Sequence, residues 1–385
     1  MREYIKLCDV CDFQGGSQPP KNEWSFDLKD GYIRMLQIRD FTQSERVAPE
    51  YIKITKATKI CEVDDILIAR YGASLGKVLT GLAGAYNVAI MKTIPDTNVL
   101  EKKYLYYYLK SPIFQGFLLN VGSRAAQAGF NKNDLQDLLI PNITRNEQVE
   151  IVGTLERVET VIEARQNELQ KLDDLIKARF VEMFGDPEEN PFNWEKTLLT
   201  KVIINANNGM ARRGNDKDGN IVMRLVELQD GYIDYSNPNR IILKDNEKKR
   251  YLLKDKDFLF ARVNGNPDNV GRCAVFHDIG EDVYHNDHII RVHFDEELLN
   301  GTFASALFNS DYGKKQLKSQ IKTSAGQYTV SQDGIGAIAT ILPPAKLQNQ
   351  FADFVHQVDK SKLAVQKSLD KTQQLFDSLM QEYFG

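Results

Sequence analysis

The chain of 385 residues has the composition of an ordinary globular protein, with 42% hydrophobic residues, 26% charged residues and a formal net charge of −4. This length allows about two to three domains, each with a core of its own. No apolar run reaches the roughly eighteen residues that span a membrane, and the N-terminus lacks the features of a secretory signal. Four cysteines are too few for a disulfide framework, so we expect a cytoplasmic protein without membrane association.

From the N-terminus, short β-rich runs alternate with turns around a single helical stretch. The β-rich run at residues 65–70 is followed by a turn that contains Gly72, and residues 102–109 form the predicted helix. Separate strands and helices of this kind indicate an α+β fold. Pro141 ends the pattern, so we assign residues 1–143 to a first lobe.

Residues 144–185 are predicted to form one long helix. Their apolar side chains recur at alternating steps of four and three, which is the pattern of a coiled-coil seam. About 38 residues of such a helix extend for about 57 Å, which is longer than packing on one lobe requires. The alternative is an amphipathic helix that packs only on its own lobe. The predicted seam positions are Ile151, Leu155, Val158, Ile162, Leu169, Leu172 and Ile176.

The second half of the chain repeats the first half in the same order. Residues 257–262 repeat the run at residues 65–70, and residues 369–385 repeat residues 169–185. Two long copies do not form a solenoid, which needs short units stacked in series. The predicted domains are a first lobe at 1–143, a central spacer helix at 144–185, a second lobe at 186–343 and a C-terminal spacer helix at 344–385.

A glutamine at the start of each spacer helix also belongs to the repeat. In the first copy an Ile-Pro pair is followed by Gln148, and in the second copy a Leu-Pro pair is followed by Gln350. We therefore align Gln148 with Gln350.

The connectivity of the chain sets the expected direction of helix packing. If the second spacer helix pairs with the first, it runs back toward the first lobe, so the pair is antiparallel and the lobes are related by an approximate two-fold axis. Arg165, Arg179 and Lys362 interrupt the seam, and polar seam residues often fix register and partner. The second helix contributes the seam positions Val355, Val358, Val365, Leu369, Phe376 and Leu379.

Loops rich in arginine, lysine and amide side chains are the candidate binding segments. Arginine, glutamine and asparagine can each form two hydrogen bonds with the edge of a guanine or adenine base. A loop rich in these residues therefore favours DNA contact. The alternative is that these side chains are solvated or cap helices. The candidate DNA-binding residues are Arg70, Arg124, Gln127, Asn131, Arg212, Arg213, Arg262, Lys322, Gln327 and Tyr328.

No sequence motif indicates catalysis or metal binding. Residues 72–78 resemble a phosphate loop but are one residue short and lack the hydroxyl residue that holds magnesium. Cys8 and Cys11 have metal-ligand spacing without a second pair nearby. His285, His288 and His293 are expected to be ordinary half-buried strand residues. We predict neither a catalytic residue nor a metal site.

The order of these motifs resembles that of the DNA-specificity subunits of Type I restriction–modification systems, over essentially the whole chain. Each copy contains the strand with Ala-Arg, a loop with Gln127 or Gln327, an Ile/Leu-Pro pair, and a long helix that ends in Phe-Gly. A Gly-rich turn at residues 13–20 precedes them in the first copy. The second copy departs by having Asn349 before its glutamine and Tyr328 after Gln327.

This resemblance implies a non-catalytic DNA-binding protein in which each lobe is a target-recognition domain for one half of a split target. It also implies that the helices set the spacing and bind two adenine methyltransferase subunits, which carry S-adenosylmethionine and flip the target base. ATP-dependent restriction subunits complete such a complex, and no cofactor is expected on this chain. Two alternatives are a stand-alone bipartite DNA-binding regulator and an enzyme whose site the motifs do not reveal.

Overall fold

The contacts of the chain, in a computed structural model, divide it into two compact units. The first unit comprises Met1–Gln166 and Lys367–Gly385, and the second comprises Asn167–Gln366. Each unit therefore includes part of each long helix. This division differs from the domain boundaries assigned above, which remain a prediction. The structure describes residues 3–43, 46–122, 129–324 and 326–385.

The first unit is a mixed α/β lobe followed by the first long helix. Short strands and turns continue to residue 95, and two helices follow, the first of which covers the predicted helix at 102–109. Its elements are β1 (Tyr4–Lys6), α1 (Leu7–Val10), β2 (Cys11–Gly15), β3 (Tyr32–Leu36), α2 (Ile38–Thr42), β4 (Tyr51–Lys53), β5 (Ile60–Cys61), β6 (Leu67–Ala69), β7 (Val78–Leu79), β8 (Gly84–Tyr86), β9 (Ile90–Pro95), α3 (Lys102–Lys110), α4 (Pro112–Gly122), β10 (Leu139–Pro141) and α5 (Arg145–Phe184).

The second unit has the same kinds of element in a closely similar order. Its described residues include a short hairpin, and its short helices lie at different points of the plan from those of the first unit. Its elements are β11 (Glu195–Leu198), β12 (Ile203–Asn208), β13 (Asn220–Met223), β14 (Arg240–Ile241), α6 (Asp245–Tyr251), β15 (Phe258–Ala261), β16 (Val263–Asn264), β17 (Cys273–Val275), β18 (Val283–His285), β19 (Ile289–Phe294), α7 (Gly301–Asn309), α8 (Asp311–Ser319), β20 (Lys322–Ser324), β21 (Gln327–Thr329), α9 (Gln332–Gly336), β22 (Ala339–Leu342) and α10 (Ala345–Phe384).

The sheets of the two units follow one plan. The antiparallel sheet β2-β9-β6-β7 has its counterpart in β12-β19-β15-β17, and the closing pair β1-β10 in β11-β22. In each unit a second sheet contains one parallel pair, β3 with β8 and β13 with β18. The mixed α/β class is thus confirmed. Among the described helices, none is long and apolar enough to cross a membrane.

Aromatic side chains fill the core of each unit. In the first unit Tyr104 and Tyr108 of α3 lie against Phe384 of α10, with ring centroids 5.1 and 6.0 Å apart. In the second unit Phe303 of α7 lies 4.7 Å from Phe184 of α5. Tilted and edge-to-face pairs of this kind add specific geometry to apolar burial. The core of each unit is therefore completed by the end of a long helix.

A buried glutamine fixes the start of each long helix to the preceding lobe. Gln148 accepts a hydrogen bond from the backbone N–H of Glu101 at 2.7 Å and donates to the carbonyls of Val99 and Ile143 at 3.0 and 3.1 Å. All three bonds go to main-chain atoms. Since an amide side chain has one acceptor and two donors, this arrangement uses each kind of group that the side chain offers.

The counterpart of Gln148 is Gln348, and the alignment of Gln148 with Gln350 is wrong. Gln348 accepts from the backbone N–H of Asn300 at 2.9 Å and donates to two carbonyls at 3.0 and 2.7 Å. Gln348 is fully buried, whereas Gln350 is exposed. The two-residue error has two equal parts. Pro141 is the last residue of β10 whereas Pro343 follows β22, and three residues separate β10 from α5 whereas two separate β22 from α10.

Contacts between the long helices occur within each unit. In the second unit Lys362 Nζ lies 2.6 Å from Asp173 Oδ1, and the guanidinium of Arg179 lies 5.7 Å from the ring of Phe354. In the first unit residues of both helices belong to one apolar core. The predicted seam positions are all buried or half-buried: Ile151, Leu155, Val158, Ile162, Leu169, Leu172, Ile176, Val355, Val358, Val365, Leu369, Phe376 and Leu379.

Acid is expected to destabilise the second unit through His285. This side chain is fully buried, its Nδ1 lies 3.1 Å from the carbonyl of Tyr251, and burial lowers its pKa from 6.5 to about 4. Because the folded pKa lies below the unfolded one, the unfolded chain takes up the proton first as the pH falls. The free energy of unfolding should therefore drop by up to about 3 kcal/mol between pH 6.5 and pH 4 on account of this group.

Urea unfolding followed by tryptophan fluorescence measures this effect. The chain has two tryptophans, so a Trp24→Phe background leaves Trp194 as a reporter in the second unit. His285→Asn should flatten the pH dependence in this window, whereas His277→Asn, at an exposed histidine, should leave it unchanged. An equal pH dependence in both variants would show that His285 does not carry the effect.

Candidate nucleic-acid interface

In the first unit three segments of the chain meet at Arg70, which directly follows the buried strand β6. Its backbone N–H donates to the carbonyl of Ala89 at 2.8 Å, and its Nη1 donates to the carbonyl of Val88 at 3.2 Å. Its Nε donates to the carbonyl of Phe130 at 3.0 Å. A Cβ on Gly15 would lie 3.1 Å from Nη1, so the glycine leaves room for the guanidinium. Arg70 thus connects the β8–β9 loop with the end of β2 and the segment at Phe130.

Arg262 occupies the equivalent position in the second unit, directly after the buried strand β15. Its backbone N–H donates to the carbonyl of His288 at 2.7 Å, and its Nη1 donates to the carbonyl of Asp287 at 3.1 Å. Its own carbonyl accepts from the backbone N–H of Val330 at 2.9 Å. Arg262 therefore connects the β18–β19 loop with the segment that follows β21.

The two arginines have a shared structural role that sequence reasoning did not assign. Both are half-buried, and both bind main-chain carbonyls of neighbouring loops. Carbonyl acceptors are present whatever the side chains of those loops are, so the same clamp works on loops of different sequence. The prediction that Arg70 and Arg262 contact DNA stays a prediction, and the observed contacts make them positioning residues.

Asparagine and glycine shape the clamped loops in the same way in both units. Asn87 and Asn286 each accept a hydrogen bond from the backbone N–H two residues later, at 3.1 Å in both loops. A Cβ on Gly16 would lie 2.1 Å from the carbonyl oxygen of Asn87, and a Cβ on Gly209 would lie 2.2 Å from the carbonyl oxygen of His285, the last residue of β18. Sequence reasoning missed both asparagines, although each precedes an isoleucine by three residues in the repeat.

The tips of the two loops differ in chemistry. The first unit presents Val88, which is 45% exposed, and Ala89. The second unit presents Asp287 and His288, both half-buried and both close to Arg213. The Nη2 atom of Arg213 lies 2.7 Å from Asp287 Oδ1 and 3.1 Å from His288 Nε2. Burial lowers the pKa of His288; Asp287 opposes this shift and Arg213 adds to it.

Arg212 is attached to α6. Its Nη2 donates to Glu247 Oε2 at 2.8 Å and to the carbonyl of Ile242 at 2.7 Å. The hydrogen bonds from Arg212 lower the pKa of Glu247 to about 2. Arg212 and Arg213 thus hold the β12–β13 loop from two sides, Arg212 on α6 and Arg213 on the β18–β19 loop.

The β20–β21 hairpin carries three of the candidate DNA-binding residues. Lys322 lies opposite Thr329 in the ribbon and Ser324 lies opposite Gln327, so Lys322 and Gln327 share one face. Lys322 and Gln327 are exposed. Tyr328 is half-buried and packs on the apolar core of the second unit. Gln327 is accordingly better placed than Tyr328 to reach a ligand.

In the first unit Asn131 serves as a helix cap. Its Oδ1 accepts from the backbone N–H of Asn133 at 2.8 Å, and its own backbone N–H donates to Asp134 Oδ2 at 2.7 Å. This is the capping role considered as the alternative to DNA contact. The candidates Arg124 and Gln127 lie outside the described residues.

Within the described ranges, no group of histidine, cysteine, aspartate or glutamate side chains could hold a metal ion. Burial raises the pKa of Cys8, and that of Cys11 to about 12, so both thiols stay protonated. In the loop that resembles a phosphate site, the backbone N–H groups of Gly76 and Lys77 bind carbonyls at 2.9 and 3.0 Å. These amides are not directed at a ligand.

Comparisons with known proteins show what the chain is similar to. Residues 2–173 match the family model described as Type I restriction modification DNA specificity domain. The chain is 22% identical to the StySPI specificity subunit of Salmonella potsdam and 19% identical to the EcoKI specificity subunit of Escherichia coli K12, in each case over 93% of this chain and 82% of the relative. It is 21% identical to the MjaVIII specificity subunit of Methanocaldococcus jannaschii, over 93% of this chain and 86% of the relative.

Solved structures show the same fold. The crystal structure of the Type I S subunit from M. genitalium matches all of this chain and 96% of its own, with a TM-score of 0.57 and 15% identity. A chain from a study of complex assembly and conformational transition of the type I R-M system matches 99% of this chain and 97% of its own, with a TM-score of 0.59 and 15% identity. The solved structures show the fold alone, and it is the family model and the named relatives that confirm the prediction of a non-catalytic DNA-specificity subunit. Residues 2–173 thus match a Type I restriction modification DNA specificity domain, and the chain as a whole is similar to Type I specificity subunits.

Proposed function

We propose that this protein is the DNA-reading subunit of a Type I restriction–modification complex, in which each lobe recognises one half of a bipartite target. The observation that carries the proposal is the repeated clamp. In both units an arginine at the end of a buried strand holds the β8–β9 or β18–β19 loop beside a second segment, while the side chains at the loop tips differ. The same backbone contacts with different side chains at the loop tips fit a protein that reads two different half-sites.

The proposed target-recognition domains are residues 1–143 and 186–343. The surface assigned to DNA comprises the clamped loops, the β12–β13 loop and the β20–β21 hairpin, where Gln327 and Lys322 are exposed. Glutamine can pair with adenine in the major groove, and a two-stranded ribbon is narrow enough to enter that groove. Lysine beside it suits contact with phosphate.

The long helices α5 and α10 are proposed to form an antiparallel coiled coil that sets the distance between half-sites. In the second unit Phe351, near the start of α10, lies 5.6 Å from Phe180, near the end of α5. Further along α10, Lys362 contacts Asp173. As the residue number rises along α10, the residue that it contacts on α5 has a lower number. This order supports antiparallel packing. An approximate two-fold axis between the lobes belongs to the same proposal.

The proposed partners are double-stranded DNA, two adenine methyltransferase subunits and ATP-dependent restriction subunits, in the cytoplasm. S-adenosylmethionine and ATP would bind those subunits, and this chain would bind neither. The test is reconstitution with the methyltransferase subunit encoded beside it. Methylation at a split sequence should appear only when both proteins are present. A stand-alone regulator, in contrast, would bind its site tightly and specifically by itself.

Gln327→Ala is expected to weaken recognition in the second half-site alone. Loss of a paired contact with a base should cost about 1–3 kcal/mol at one position and relax the preference there. Competition binding of the reconstituted complex against duplexes with single substitutions measures this. Tyr328→Phe is the matched control, because its ring packs in the core. An equal loss of affinity for all sequences, with a shallower salt dependence, would instead assign Gln327 to phosphate contact.

A further inference from the structure

The loop tip formed by Asp287 and His288 has a chemistry that the first unit lacks. The tip lies in the frame made by Arg262, Asn286 and Gly209, and the first unit repeats that frame with Val88 and Ala89 at its tip. The residues that hold the loop are therefore of the same type in both units, whereas the side chains at its tip differ. The following inference rests on the proposed function and deepens it.

Arg213 fixes the protonation state of His288. A guanidinium can only donate hydrogen bonds, so the 3.1 Å contact with Nη2 requires His288 Nε2 to be the unprotonated acceptor. In the neutral ring the proton is then on Nδ1. Burial and the charges of Arg213 and Arg262 all disfavour a second proton. His288 therefore offers one N–H donor of fixed identity, and within the described ranges this Nδ1 makes no hydrogen bond.

Asp287 offers an acceptor beside this donor. Its Oδ1 lies 2.7 Å from Arg213 Nη2 in an ion pair, and neither carboxylate oxygen makes a hydrogen bond in the described part of the chain. Arg213 also neutralises the carboxylate, which lessens its repulsion by the phosphates of DNA. The same arginine is held in place by the carbonyl of Ala211, at 2.9 Å from Nη1. The tip thus presents a hydrogen-bond donor, His288, next to an acceptor, Asp287, and Arg213 contacts both side chains.

We infer that Asp287 and His288 are the residues that read one base of the second half-site, and that this base is adenine. Adenine presents N7, an acceptor, next to the N6 amino group, a donor, at its major-groove edge. His288 Nδ1–H would donate to N7, and the Asp287 carboxylate would accept from N6. Guanine has O6 in place of the amino group, and that oxygen would repel the carboxylate. Arg213 is the positioning residue of this pair.

The first unit cannot read a base in this way at the equivalent tip. Val88 and Ala89 have neither donor nor acceptor in their side chains, and an apolar tip suits the methyl group of thymine better. The pair in the second unit therefore contributes to the difference between the two halves of the target.

The test is binding of the full chain, reconstituted with its methyltransferase subunits, to duplexes in which each position of both half-sites is varied. His288→Ala and Asp287→Ala should each reduce the preference for adenine over guanine at one position of the second half-site, on the order of 10-fold to 100-fold. His288→Gln should restore part of it, because glutamine supplies both an acceptor for Arg213 and a donor. The first half-site should be unaffected.

His277→Ala and Asp255→Ala are the matched controls, because His277 and Asp255 form an exposed histidine–aspartate pair, 3.6 Å apart, in the same unit. Thermal unfolding of every variant checks that the second unit remains folded. If the wild-type complex discriminates but His288→Ala and Asp287→Ala keep the full preference at every position, the inference is wrong and the proposed function stands. A uniform loss of affinity in these variants would also overturn it. If the wild-type complex itself shows no sequence preference, the proposed function fails.

Discussion

Exchange of residues 191–343 for the equivalent segment of another specificity subunit is expected to change one half of the DNA target and leave the other half unchanged. The exchanged segment contains both β11 and β22, which pair with each other, so the closing strands move together. Gln348 stays behind, and its three hydrogen bonds go to main-chain atoms of the segment. Main-chain atoms are supplied by any sequence of the same fold, so the attachment should form again.

Sequencing of methylated sites in cells that carry the exchanged protein measures both halves of the target and the gap between them. The gap should stay constant, because α5 and α10 are retained in full. Reversion to the original segment is the control. A target altered in both halves, or an unsplit target, would contradict the assignment of one half-site to each lobe.

Gln348→Ala is expected to destabilise the second unit strongly. The substitution removes a fully buried amide and leaves one N–H and two carbonyls without their partner, and a buried group left unsatisfied costs about 1–3 kcal/mol. A loss of several kcal/mol is a large part of the stability of an ordinary domain. We expect the urea midpoint reported by Trp194, in a Trp24→Phe background, to fall well below that of the parent protein.

Gln350→Ala is the matched control, two residues along the same helix at an exposed position. It should leave the free energy of unfolding unchanged within about 0.5 kcal/mol, and the urea midpoint should stay close to that of the parent protein. Gln148→Ala should destabilise the first unit in the same way, with Trp24 as the reporter in a Trp194→Phe background. Similar midpoints for Gln348→Ala and Gln350→Ala would show that the buried amide does not carry the attachment.

The sequence predicted the elements whose signal is periodic. The steps of four and three along α5 and α10 selected side chains that are all buried or half-buried, and the helix at 102–109 lies within α3. The alignment of Gln148 with Gln350 failed by two residues, because Pro141 ends its strand whereas Pro343 follows its strand, and because the two connections to the helices differ by one residue in length. Sequence pattern alone does not show burial, and burial is what identifies Gln348.

The candidate interface was harder to predict than the fold. Residue type marks Arg70, Arg212 and Arg262 as potential DNA contacts, but whether an arginine is directed outward depends on acceptors that are distant in sequence. Arg70 meets a carbonyl sixty residues away, at Phe130, and Arg212 meets a carboxylate on α6. Sequence pattern did not single out Asn87 and Asn286, because their role is to shape a loop through a local backbone hydrogen bond.

The division of α10 between the two units has a consequence for synthesis on the ribosome. Residues 367–385 belong to the first unit, where Phe384 lies against Tyr104 and the carbonyl of Gly385 accepts from Tyr4 at 3.3 Å. The second unit needs nothing beyond Gln366. The lobe that emerges first therefore lacks part of its core until residues 367–385 are made, and the lobe that emerges second is completed before it. The order of emergence from the ribosome is thus the reverse of the order in which the two units become complete.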